Sequence, residues 1–84
     1  MALSHRFVTL SPTDARAVPL ASIRRRTFAF YVVVVATNPA GPYHVADLTG
    51  SLRAAKFVAS IESLTLTAAV VRVTPTELEL YITT

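Results

Sequence analysis

Nine consecutive apolar residues, Phe28 to Ala36 in the run TFAFYVVVVA, constrain this chain more than any other feature. They fall far short of the about 20 that a membrane-spanning helix needs. Read as a strand, the run puts Phe28, Phe30, Val32 and Val34 on one face and Ala29, Tyr31, Val33 and Val35 on the other. Both faces are apolar, so the strand must be covered on two sides. The first set is expected in the core. The second, with Tyr31, Val33 and Val35, is expected to pack against something else, in a chain this short a partner subunit. Left at an open edge, such a run would aggregate. Arg24-Arg25-Arg26 before it and Pro39 after it stand where gatekeepers would.

Composition sharpens the same point. The chain has 84 residues, enough for one domain with a thin core. Apolar residues make up 52% and charged residues 15%, against about 25% charged in an ordinary soluble domain. A small domain has much surface per residue and should need more charge. Either Thr and Ser coat the surface or partners cover part of it, and we favour partners. With no cysteine, no disulfide staples the fold; a reducing compartment suits such a chain. No membrane segment is expected, and Met1 to Leu10 lacks the apolar stretch of a signal peptide.

Charge is uneven. Residues 1–26 carry Arg6, Arg16, Arg24, Arg25 and Arg26 against Asp14, a net +4. Residues 27–84 carry Arg53, Lys56 and Arg72 against Asp47, Glu62, Glu77 and Glu79, a net −1. The chain therefore divides into a basic, irregular N-terminal arm or first strand over 1–26 and a β domain over 27–84. In the arm, His5–Leu10 suits a short strand, while Pro12, Asp14 and Pro19 make 11–22 a loop or an extended arm; the whole arm, 1–26, is expected to order on a partner.

Downstream, Thr37–Pro42 reads as a turn, Tyr43–Val45 as a short extended piece, and Asp47–Gly50 as a second turn with Gly50 free to take positive φ. Ser51–Ser63 fits two patterns. Ala54, Phe57, Val58, Ile61 and Leu64 match helical spacing, while Leu52, Ala54 and Val58 alternate around Lys56; a strand is preferred. Leu64–Thr67 and Val70–Val73 read as strands, or as one strand bent at Ala68-Ala69. Thr74-Pro75-Thr76-Glu77 has the form of a capping box, yet Leu78, Leu80 and Ile82 alternate as a final edge strand would. The sum is an all-β fold, a small antiparallel sandwich or barrel of about six short strands.

Reactive groupings are sparse. His5 and His44 are the only histidines, and His44 with Asp47 makes at most a lone pair of metal ligands. Ser4 beside His5 is adjacency without a third group. Glu62, Glu77 and Glu79 read as a solvated face, and Gly41 and Gly50 are too isolated for a phosphate loop. No enzyme, catalytic residue, metal or cofactor is expected. Arg24–Arg26 is the one charge cluster. It could bind phosphate with the help of Phe28, Phe30 and Tyr31, which would make the protein a small nucleic-acid-binding barrel. It could instead meet Glu77 and Glu79 of a neighbouring copy head to tail. The candidate interface is thus Arg24, Arg25, Arg26, Tyr31, Val33, Val35, Glu77 and Glu79.

From Thr27 onward the layout resembles the immunoglobulin-like phage tail proteins, in particular the N-terminal domain of baseplate upper proteins. The resemblance runs through Thr27-Phe28, the turn from Asn38 to Pro42, Asp47-Leu48-Thr49-Gly50, Leu64 to Val73, and Thr74-Pro75-Thr76-Glu77. Arg25-Arg26 stand where that family often has Gly-Asp, and Ala68-Ala69 where it has a glycine. The resemblance implies an immunoglobulin-like sandwich without catalytic residues. It implies a structural role in a virion (tail, baseplate, connector or capsid decoration), with copies of itself and other virion proteins as partners.

Overall fold

The computed structural model describes residues 5–83. Its strands are β1 (His5–Thr9), β2 (Phe30–Ala36), β3 (His44–Thr49), β4 (Thr67–Val73) and β5 (Leu78–Thr83). A helix, α1 (Leu52–Glu62), connects β3 to β4, and a single 3-10 turn (Val18–Leu20) lies between β1 and β2. The strands form one open sheet in the order β1-β5-β4-β2-β3, with every neighbouring pair antiparallel. The antiparallel all-β expectation holds, with five strands where about six were expected. A helix and irregular chain, not a second sheet, form the layers over its two faces.

The valine run is an interior strand of this sheet, paired along both edges. It pairs with β4 from Phe30↔Val73 to Ala36↔Thr67 and with β3 on its other side. One face carries Phe30, Val32, Val34 and Ala36 together with Val71, Val73 and Leu78. Leu10, Ala17 and Leu20 close over it and are themselves buried. The other face carries Val33 and Val70, with Tyr31 and Val35 beside them, and α1 covers it through Leu52, Ala55, Val58 and Ala59. The second apolar face therefore meets the chain's own helix, and Val33 is fully buried within one copy.

Several local readings are corrected. The short strand expected at His5–Leu10 is present as β1, whereas the loop or extended arm expected after it is a series of tight turns packed on the sheet. Asp14 N–H bonds to Ser11 O, Ala17 N–H to Asp14 O and Leu20 N–H to Ala17 O, so the backbone closes on itself while Ala17 and Leu20 face inward. Phe28 is not core: β2 starts at Phe30, the alternation does not reach back, and Phe28 is 59% exposed. The stretch 51–63, where a strand was preferred, is helix α1 (Leu52–Glu62) with Ser51 and Ser63 as its caps. The Ser51 hydroxyl accepts the Ala54 N–H at 3.2 Å, satisfying a donor of the first turn. Leu64–Leu66 continue as turns bonded back to Ile61 and Glu62, so β4 begins only at Thr67 and runs straight through Ala68-Ala69.

The segment Asp47–Thr49 extends β3 instead of turning, and its register against β2 shifts between Val33 and Val34. Gly50 has open space around it and no positive φ; Gly41 has φ +87°. A Cβ at Gly41 would lie 3.1 Å from the Tyr43 ring. The last strand is interior, between β1 and β4. Thr74–Glu77 form its hairpin turn, where the Thr74 hydroxyl accepts the Glu77 N–H at 2.9 Å. No described helix is long and apolar enough to cross a membrane.

Candidate interaction surfaces

Arg24, Arg25 and Arg26 are exposed in the stretch that leads into β2. Arg25 donates to the Thr74 carbonyl at 2.8 Å, and the Arg26 guanidinium lies 4.7 Å from the Phe30 ring centroid. The cluster is thus tied to the β4–β5 turn, which also holds Glu77. Both halves of the expected head-to-tail charge contact sit at the same end of one molecule, whereas a head-to-tail contact needs them on opposing surfaces. Glu77 accepts the Thr9 hydroxyl at 2.9 Å, and Glu79 is paired with Arg72. The aromatic residues expected beside the arginines do not form one exposed patch with them. Phe30 is buried and Tyr31 points to the opposite face, which leaves Phe28 as the exposed ring nearby in sequence.

On the helix-covered side, α1 does not reach over β5 and β1. There Phe7, Tyr31 and Tyr81 cluster, with Phe7 centroids 6.3 Å from Tyr31 and 5.3 Å from Tyr81. Strand pairing places Phe7 opposite Tyr81 and Tyr31 opposite Arg72. The Arg72 guanidinium stacks 3.7 Å from the Phe7 centroid and bonds Glu79 at 2.8 Å across the β4–β5 pair. Glu79 is the main reason the Arg72 pKa is raised, against the opposing effect of burial, and Tyr31 adds a smaller share. This cation–aromatic cluster was missed in the sequence because its members lie on four strands. The only available signal was the alternation that puts Glu79 and Tyr81 on one face of the last strand.

Strand β5 pairs with β4 only from Val71↔Leu80 to Val73↔Leu78, whereas its pairing with β1 runs on from Glu79 to Thr83. A cleft of about 260 Å³ opens at the split, lined by Lys56, Ala59, Ala68, Ala69, Val70 and Tyr81. Lys56 Nζ lies 5.4 Å from the Tyr81 centroid at its rim.

Among the described residues, the largest apolar exposure is on the outer side of α1 and the turn that follows it. Phe57 is 65% exposed, Ile61 50% and Leu64 81%. These positions were noted for their helical spacing. Only Val58 of that group turns to the sheet; the other large side chains turn to solvent.

Of the remaining sequence candidates, His44 is exposed on β3 and Asp47 is half-buried on the same strand. Among the described residues, no three His, Cys, Asp or Glu side chains gather as a metal site. Ser4 lies outside the described residues. Comparison with family models, curated proteins and solved structures found no match. Fold and surface together define a class: a small antiparallel sheet, covered on one face by a helix whose outer side is apolar.

Proposed function

We propose that this protein is a non-catalytic structural part that works by protein–protein assembly. The row Phe57, Ile61 and Leu64 carries this reading: three large apolar side chains in water on one small domain, which none of the described residues covers. The two-faced valine strand no longer contributes, because the chain seals both sides itself. The resemblance at Thr27-Phe28, Asp47–Gly50 and Thr74–Glu77 supplies the setting, a phage virion in which the partners are other virion proteins and copies of the same chain.

Sedimentation of the purified chain at rising concentration, in low and in high salt, tests the reading. Apolar assembly predicts a mass that grows with concentration and persists in high salt. A chain that stays monomeric, and instead binds a single-stranded oligonucleotide with an affinity that falls steeply with salt, would favour phosphate binding by Arg24–Arg26.

A further inference from the structure

We infer that α1 is a self-association helix, pairing antiparallel with the same helix of a second copy about a two-fold axis level with Ala59. The inference rests on the assembly reading and assigns it a surface, a partner and a symmetry. Three observations carry it.

The first is spacing. Within α1, Ala54, Phe57 and Ile61 are separated by three and four residues, the interval of a seam along one side of a helix, and Leu64 follows three residues on, in the turn just past the helix end. An antiparallel pair centred at Ala59 sets Phe57 against Ile61 of the other copy and Ala54 against its Leu64. Large side chains then oppose small or medium ones, so the two rows interlock at the 8–10 Å separation of packed helices.

The second is area. A standard interface removes about 800 Å² per partner, a little over half of it apolar. With the exposures given above, Phe57, Ile61 and Leu64 offer on the order of 400 Å² of apolar side chain. Fully covered, the row supplies about half of such a contact and most of its apolar part.

The third is the polar inventory of this surface. Ser60 Oγ donates to the Phe57 carbonyl and Ser63 Oγ to the Ser60 carbonyl, each at 2.8 Å. Both hydroxyls spend their protons inside the helix, so covering this side strands neither donor. The charged side chains nearest the row, Arg53 and Lys56, are exposed and can extend to solvent beside a packed partner.

The chain contains no cysteine, which makes a single introduced thiol a clean reporter. Ser60 and Arg53, seven residues apart, lie on the same flank of the row. In an antiparallel pair like flanks face each other. The two Ser60 positions then differ by about 3 Å along the axis and the two Arg53 positions by about 18 Å. Under mild oxidation Ser60→Cys should form a disulfide dimer and Arg53→Cys should not. Ile61→Glu should remain folded by circular dichroism and weaken dimerisation about 30-fold or more, as loss of a central contact does.

An oligomer that persists in folded Ile61→Glu overturns the helix pairing while leaving the assembly reading intact. A dimer that Ile61→Glu dissociates but that Arg53→Cys cross-links and Ser60→Cys does not overturns the antiparallel geometry. A parent chain monomeric at all concentrations overturns the pairing and its self-assembly basis together.

Discussion

Asp14 and Arg16 show how a two-residue separation can lock a loop. Arg16 donates to Asp14 through its backbone N–H and Nε at 2.9 Å and through Nη2 at 2.8 Å. The side-chain hydrogen bonds to Arg16, aided by its backbone N–H, lower the Asp14 pKa from 3.8 to about 2. The lowered value means that the folded state binds this proton less readily than the unfolded chain. Its stabilisation is therefore complete above about pH 4 and is lost as the pH falls toward 2. The pair remains a quarter to a third exposed, and solvent screening reduces its worth to about 1 kcal/mol. Asp14→Asn should lower the melting temperature by roughly 4–8 °C at neutral pH, and by progressively less as the pH approaches 2. Thermal melts of both proteins across that range check this. An unchanged difference at pH 2 would show that the carboxylate charge is not what holds the loop.

At the scale of elements, α1 is the piece whose identity most changes the reading of the chain. Eleven residues are marginal as an isolated helix. It forms because Ser51 caps it and because Leu52, Ala55, Val58 and Ala59 pack on Val33 and Val70. Lys56, the residue that breaks strand alternation, falls outside that packed set. Ser51→Ala should cost about 1 kcal/mol. Hydrogen exchange should report the loss chiefly in the first turns of α1, leaving β2 and β4 protected. Equal loss of protection in the central strands would mean that helix and sheet open as one unit. The opposite surface of the sheet is covered more economically. Tight turns around the 3-10 segment place Ala17 and Leu20 over it without a further regular element.

For the molecule as a whole, 84 residues imply a stability of roughly 4–13 kcal/mol, so single core changes weigh heavily. Phe30 is fully buried and Phe28, two residues earlier, is mostly exposed. Phe30→Ala should cost about 3–5 kcal/mol, while Phe28→Ala should stay within about 0.5 kcal/mol of the parent. Urea unfolding of the two variants measures the contrast directly. Equal losses would mean that the strand extends back to Phe28 and that the sheet begins earlier than described. The same comparison bears on assembly, because a surface that is apolar yet contributes nothing to folding is available to a partner.

The valine run by itself determined a strand with two covered faces, and the alternation at Leu78, Leu80 and Ile82 determined another, because a period of two is written in neighbouring residues. It did not determine who does the covering. Ala54, Phe57, Val58, Ile61 and Leu64 announce a possible helix, but two apolar sides on one helix do not say which is inside. Only the fold turns Val58 to the sheet and leaves Phe57, Ile61 and Leu64 in water. Likewise Arg72 finds Phe7 and Glu79, and Arg25 finds Thr74, through pairings that join distant parts of the chain. Local spacing sets the conformation of a segment; which of its faces is buried depends on contacts between segments, and those exist only in the folded molecule.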